Sequence, residues 1–408
     1  MRRPATWLPP GSTGPGGSRG GYYCPAVIRR RLLPSLVAVL TVSGLAACSD
    51  EPSSSGSATA AGSSSAAGPS SAAQQIGWEK VTTPDECECS DGSEFHYWVH
   101  EADPAKVVFV LEGGGACFSA ETCGPTDDAT AKQNLAADLP DQPGYVYRDG
   151  TPVPAAQGIL DVDDPDSPLA GYSVVYVPYC TGDLHLGDNT QDYGDGVVVQ
   201  HKGRVNASTA LEGMAEQFPD AEEVVVLGFS AGSAGAPLYG GLAHDRLPDA
   251  GITVIADASG AYPGDEVITG AIGGLWGIFA DLPAWPESAG QPQSAWSLPG
   301  LFVQTGRHVP GIAMATIDTA EDETQRRFTD LIGFSGTPLI DLIDANHAYI
   351  EANGVDVDTW VGPGTQHVST ARDDVLEDSE VGGTRLVDWI GDVLAGEDVD
   401  DVRCTDCG

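Results

Sequence analysis

Short apolar runs rich in valine recur along the chain from about residue 106 onward, separated by polar or helical stretches. Runs such as Val107-Val108-Phe109-Val110-Leu111 are apolar at consecutive positions, not alternate ones. A strand of that kind needs cover on both faces. Strands are therefore expected at Lys106–Leu111, Ser173–Tyr179, Glu223–Gly228, Ile252–Ala256 and Leu301–Thr305, with another at Asp358–Val361. Helical spacing predicts a helix over Asn206–Gln217, with Asn206 capping its first turn, and a terminal helix from Thr384 to about Leu394. Strands alternating with helices imply an α/β protein built on a doubly wound, mostly parallel sheet flanked by helices. The stretch from Gly264 to Ser297 carries three tryptophans amid Gly and Pro, and reads as an irregular insertion that serves as a packing lid or a substrate wall.

The N-terminal pattern differs. Arg29-Arg30-Arg31 precede an apolar run from Leu32 to Ala47 that ends Leu45-Ala46-Ala47-Cys48. A spanning helix needs about 20 apolar residues, so this run predicts an export signal over residues 1–47. Its last four residues resemble a bacterial lipobox, which makes Cys48 the expected lipid-attachment site and mature N-terminus; cleavage after Ala47 by an ordinary signal peptidase is the plainer alternative. Two or more acyl chains on Cys48 would anchor the chain stably to a membrane. Gly- and Pro-rich sequence ahead of the signal is unusual, and Val27 is a candidate true start. From Ser49 to about Gln75 the chain is Ser, Ala and Gly, too poor in apolar side chains to offset its ordering entropy. Residues 48–77 thus read as a flexible tether and 78–408 as one folded domain, extracytoplasmic and either lipid-anchored or secreted.

Composition narrows the partners. Among 408 residues, 59 acidic side chains face 19 basic ones, a net charge of −40. Nucleic acid is excluded, because phosphate binding needs clustered Lys and Arg. Nine cysteines are many for a reducing compartment, and Cys87/Cys89, Cys117/Cys123 and Cys404/Cys407 sit close together. Only Cys404-Thr405-Asp406-Cys407 has zinc-hook spacing, so disulfides in an oxidising compartment explain them better than metal. Without Cys24 and Cys48 seven remain, which leaves at least one free.

The strongest chemical signal is Val225-Val226-Leu227-Gly228-Phe229-Ser230-Ala231-Gly232, a buried strand that runs into Gly-x-Ser-x-Gly and then into small residues. The glycines permit a sharp strand-to-helix turn that lifts the Ser230 hydroxyl clear of the sheet, with the Ala231 N–H beside a developing oxyanion. The bland reading is a structural turn, since the chain holds 52 glycines; the placement between strand and helix favours a nucleophile. Upstream, a strand empties into Leu111-Glu112-Gly113-Gly114-Gly115-Ala116-Cys117, whose glycines let backbone N–H groups approach a ligand. A phosphate cradle is disfavoured, because no Lys-Ser/Thr pair follows.

These two motifs, with Val177-Pro178-Tyr179-Cys180-Thr181-Gly182-Asp183 between them, resemble the pectin acetylesterase/Notum family of extracellular α/β-hydrolases. The resemblance implies a serine carboxylesterase with Gly114, Gly115 and Ala231 as oxyanion donors and a short disulfide loop at Cys117–Cys123. Many relatives carry an aromatic where this chain has Ala116, so the pocket wall should differ.

In such hydrolases the base follows the nucleophile and the acid in the chain. Of His244, His308, His347 and His367, the last sits in a glycine-rich loop between the final strand and the terminal helix, as a base requires. Position alone leaves Asp257, Asp318, Glu321, Asp322 and Glu323 open as its acid; the family pattern Asp-x-x-Gln points to Asp322, with Asp257 as runner-up. Asp183-Leu184-His185-Leu186-Gly187-Asp188-Asn189 groups two carboxylates and an imidazole. No glutamate completes a calcium loop, so Asp183 and His185 are expected to shape a substrate pocket and not to hold metal. The whole predicts a monomeric, cofactor-free esterase that hydrolyses short-acyl, acetyl-type esters of a neutral carbohydrate or a small molecule. A chain this acidic suits polygalacturonate poorly. A non-enzymatic surface binding protein, or a peptidase on the same scaffold, are the alternatives.

Overall fold

The computed structural model describes residues 77–124 and 156–407. The expected export segment, Cys48 and the Ser/Ala/Gly stretch up to Gln75 lie outside the described residues.

The described residues open with β1 (Trp78–Thr82), β2 (His96–His100) and β3 (Asp103–Leu111), then a single helical turn α1 (Ala120–Cys123) and, after residue 156, β4 (Tyr172–Val177). A hairpin of β5 (Asn189–Asp192) and β6 (Val198–His201) leads into α2 (Gly203–Gln217). Next come β7 (Glu223–Phe229), α3 (Ala231–Arg246), β8 (Gly251–Asp257), α4 (Glu266–Trp276), α5 (Leu298–His308) and β9 (Ala313–Thr319). The chain continues through α6 (Glu323–Leu331), α7 (Leu339–Ala352), β10 (Asp358–Gly362) and α8 (Asp373–Asp378). It closes with a two-residue hairpin, β11 (Glu380–Val381) and β12 (Thr384–Arg385), then α9 (Leu386–Leu394) and β13 (Val402–Arg403).

Nine of these strands form one sheet in the order β1-β2-β4-β3-β7-β8-β9-β10-β13. From β4 to β13 neighbouring strands are parallel, whereas β2 runs antiparallel to both β1 and β4. The expected α/β, mostly parallel architecture is the one found. Consecutive residues of β3 divide between two cores: Val107, Phe109 and Leu111 pack with Leu211 and Met214 of α2 and Leu238 and Tyr239 of α3. Val108 and Val110 pack with Ile390 and Val393 of α9 on the opposite face. Period-two geometry sends neighbours to opposite faces, so an unbroken apolar run is what a two-sided cover demands. Each fully buried Val or Leu contributes about 1.5–3 kcal/mol.

The strand order reverses beside β3, which pairs with β4 on one side and β7 on the other. A crevice at the carboxyl ends of the strands forms at such a switch point. The glycine loop leaves β3 there, and Ser230 leaves β7.

Three expectations are corrected. Leu301–Thr305 is helical, inside α5, because Ser297 caps the helix by accepting from the Gly300 N–H (3.3 Å) and Pro299 lies in its first turn. The strand of that region is β9, twelve residues on, whose Ala-Met-Ala-Thr start lacked a strong apolar run. Second, α2 begins three residues before Asn206, which lies inside the helix and donates from Nδ2 to the Glu88 carbonyl (2.9 Å). The first turn is satisfied from a distance: Asp183 Oδ2 accepts from the Gly203 N–H at 2.8 Å. A carboxylate suits a helix N-terminus, where unpaired N–H groups and the helix dipole both favour negative charge. Third, the terminal helix starts at Leu386, since Thr384 and Arg385 pair with Glu380 and Val381.

Disulfides join Cys89 to Cys180, Cys117 to Cys123 and Cys404 to Cys407. Cys87 is buried and free of a disulfide. Its thiol lies 3.3 Å from the Thr209 hydroxyl.

Candidate active site

Ser230 follows β7 with φ 50° and ψ −113°, a left-handed backbone that a non-glycine residue adopts only under constraint. The constraint is close packing. A Cβ at Gly228 would stand 2.4 Å from the Gly232 carbonyl oxygen, and one at Gly232 would stand 2.0 Å from the Leu111 carbonyl oxygen. The Ser230 N–H donates to the Asp257 carbonyl at 2.7 Å. The turn therefore projects the hydroxyl from the sheet's carboxyl edge at the start of α3.

His367 Nε2 lies 2.7 Å from Ser230 Oγ, and its Nδ1 lies 2.7 Å from Asp322 Oδ2. Asp322, fully buried, caps α6: its Oδ1 accepts from the N–H groups of Thr324 (2.8 Å) and Gln325 (2.9 Å). Those bonds hold the carboxylate in one orientation, and the carboxylate in turn sets which imidazole nitrogen carries the proton. Burial disfavours the imidazolium; the charge of Asp322 and its hydrogen bond, with help from Asp257 and Asp318, outweigh burial and raise the His367 pKa above its ordinary value.

Asp257, the runner-up acid, does a different job. It accepts from the N–H groups of Ser369 (3.1 Å) and Thr370 (2.7 Å) and from the Thr370 hydroxyl (2.6 Å). It therefore anchors the loop that carries His367. Val368, with φ 61°, bends that loop so that the imidazole faces the serine.

The glycine loop runs against the turn at Ser230. A Cβ at Gly113 would meet the Phe229 carbonyl oxygen at 2.7 Å, and one at Gly114 would meet the Tyr179 ring at 2.6 Å. Gly115 has φ 75°. Among the described residues the N–H groups of Gly114, Gly115 and Ala231 have no protein acceptor. Glu112 keeps the loop in place through a role the sequence did not announce. Its side chain is buried, accepts from the Tyr179 N–H at 2.8 Å, and its carboxyl is pushed up to about 7 by burial, against the donors Tyr179 and Tyr176. The Tyr179 hydroxyl donates to the Gly115 carbonyl (2.9 Å).

Beside Ser230 opens an apolar cavity of about 110 Å³. Ala116 and Phe118 line one side, Leu184 and Leu186 another, and Ile272 and Trp276 of α4 a third. The insertion Gly264–Ser297 is thus a wall of this cavity. Trp276 ties it to the glycine loop by donating from Nε1 to the Cys117 carbonyl (2.8 Å). Trp285 packs elsewhere, stacked on His308 with ring centroids 4.4 Å apart.

Asp183 and His185 do not line the cavity, contrary to expectation. The flanking Leu184 and Leu186 do, because positive φ at Leu184 (60°) and His185 (57°) turns the leucines outward and the polar residues inward. Asp183 serves Thr181 Oγ1 (2.6 Å) and Gly203, and burial pushes its carboxyl up to about 6 against those donors. His185 is buried with Nε2 at 2.9 Å from the Glu112 carbonyl, and burial lowers its pKa to about 4, so it is neutral and donates there. Asp188 pairs with Lys202 instead (2.7 Å).

Among the described residues, Cys117, Cys123 and His201 form the one cluster with metal-ligand proximity. The two cysteines are bonded to each other, and the His201 nitrogens face the Thr181 carbonyl (2.9 Å) and the Tyr193 hydroxyl (2.8 Å). A cysteine ligates a metal as its thiolate, and these two, joined in a disulfide, offer none.

A family model described as Pectinacetylesterase matches residues 70–271. Over those residues the chain is similar to the pectinacetylesterase family. Within the matched stretch lie the glycine loop and Ser230, whereas Asp322 and His367 follow it. Over 155 residues the chain is 31% identical to palmitoleoyl-protein carboxylesterase notum2 of Xenopus laevis, covering 36% of this chain and 28% of that protein. The chain therefore matches little more than a quarter of that relative's length. Its fold is similar to that of the Wnt deacylase Notum from Drosophila, with a TM-score of 0.53 at 15% identity, over 79% of this chain and 95% of the other.

Proposed function

We propose that the protein is a serine carboxylesterase that works through an acyl-enzyme formed on Ser230. The carrying observation is the unbroken relay Ser230 Oγ–His367–Asp322, with both links at 2.7 Å, beside an apolar cavity. His367 takes the Ser230 proton as the oxygen attacks the ester carbonyl. The N–H groups of Gly114, Gly115 and Ala231 receive the oxyanion, His367 returns the proton to the departing alcohol, and water repeats the sequence to release the acid.

The cavity argues for the acyl side of the substrate. Its walls are apolar and its volume is about 110 Å³; an engineered apolar cavity of about 150 Å³ holds benzene. A short acyl group, from acetyl to about four to six carbons, fits that space. The acidic surface favours a neutral alcohol portion, carbohydrate or small molecule, over a polyanion. Location outside the cytoplasm, on a lipid at Cys48 or released, accords with the export-type N-terminus and three disulfides.

The test is a series of p-nitrophenyl esters from acetate to palmitate, with acetylated xylan beside acetylated pectin and with fluorophosphonate labelling. Turnover that peaks among short chains and a label on Ser230 are expected. No turnover and no label would sink the reading.

A further inference from the structure

We propose that Asp318 is a positioning residue of this site, which acts through the Gln325 carboxamide to govern the charge that the His367 imidazole carries. The inference rests on reading Ser230, His367 and Asp322 as the hydrolytic relay.

Asp318 lies near the end of β9 and is buried. Its Oδ1 accepts from the Gly260 N–H and from Gln325 Nε2, each at 2.9 Å. The same Nε2 reaches Asp322 Oδ2 at 3.3 Å. The orientation of this amide follows from its other end, where Gln325 Oε1 accepts from the Ala261 N–H at 3.0 Å. One NH₂ group therefore spans two carboxyls, only one of which touches the imidazole. Asp318 Oδ2 has no hydrogen-bond partner among the described residues. It fits because position 260 is glycine: a Cβ there would stand 2.0 Å from that oxygen.

A buried carboxylate with one oxygen unsatisfied is costly to ionise. Burial pushes the Asp318 carboxyl up to about 7; the Gln325 and Gly260 donors oppose this, while the charges of Asp322 and Asp257 add to it. Three carboxyl groups, Asp322, Asp257 and Asp318, thus face His367, and Tyr262 faces Asp318 and Asp322 from the loop after β8. Near neutrality Asp318 exchanges a proton. When neutral, it leaves Asp322 and Asp257 as the charges on the imidazole; when ionised, it adds a third and holds the imidazolium proton more firmly.

The variant Asp318→Asn keeps the shape and the acceptor oxygen and locks the neutral state. The acid limb of kcat/KM should move to lower pH by on the order of one unit. In parallel, ¹H NMR of the His367 ring in the Ser230→Ala background should show titration at lower pH once Asp318→Asn is added. Without that change the ring signal should show a second step near neutrality, which decides the matter even if the variant folds poorly. A limb and a ring titration that stay in place while the plateau falls would make Asp318 merely structural and overturn the proposal. A wild-type protein that hydrolyses no ester and takes no fluorophosphonate overturns the Ser230 reading instead, and the ring titration then judges the coupling alone.

Discussion

Ser230 and Asp257 are joined through the backbone: the serine N–H donates to the aspartate carbonyl at 2.7 Å, while the carboxylate of the same aspartate grips Ser369 and Thr370. One residue at the end of β8 thus holds the Ser230 turn and the loop that carries His367 in a common frame. Placement of this kind is what holds the two 2.7 Å contacts of His367 in register.

Asp322 and Asp257 should therefore separate on mutation. Asp322→Asn is expected to lower kcat by about 10⁴-fold, since the imidazole loses the partner that sets its tautomer. Asp257→Asn should cost chiefly stability, about 1–3 kcal/mol for the weakened donors of a buried carboxylate, with a smaller loss of kcat. Steady-state kinetics and thermal melts of the two variants check this.

Ser230 carries the strain of the turn, so its replacement should reveal a trade between stability and activity. Ser230→Gly is expected to abolish turnover and to stabilise the fold by about 1 kcal/mol, because glycine adopts positive φ freely. Ser230→Ala should abolish turnover without that gain. Calorimetry of both variants measures the difference.

The acid limb of the pH–rate profile reports the free imidazole. Asp322 and the neighbouring carboxylates raise the His367 pKa above 6.5 in spite of burial. The base works only when neutral, so activity should rise with pH through a midpoint above 6.5. A midpoint well below that value would mean that burial dominates.

Glu112 predicts a pH effect on stability instead of rate. Its folded pKa, about 7, exceeds the ordinary 4.5, so the folded state binds a proton more tightly than the unfolded chain. The stability this provides is full below pH 4.5 and lost as pH rises through 7. Glu112→Gln keeps an acceptor for the Tyr179 N–H and removes the ionisation. Its melting temperature should exceed that of the wild type at pH 8 by an amount worth on the order of 1–3 kcal/mol, and the gap should close toward pH 5.

Much of the scaffold was legible before folding. Five of the six expected strands appear, within a few residues of their bounds, because an apolar run covered on both faces has few other solutions. The sixth, Leu301–Thr305, failed where β-branched residues sat behind a Ser-x-Pro helix start. The serine turn was equally readable, since its glycines answer to clashes within a few residues.

What the sequence alone determined about this protein is local: the two-faced strands, the strained turn at Ser230 and the glycine loop after β3, each dictated by sterics among neighbours. Tertiary structure decided the rest. It brought His367 to a serine 137 positions away, assigned Asp322 to the imidazole and Asp257 to the loop, and paired Cys89 with Cys180. It also turned Asp183 into a helix cap and left the cavity to leucines. The reason is physical. A carboxylate's role depends on which donors surround it, and those donors come from segments that only the packed sheet brings together.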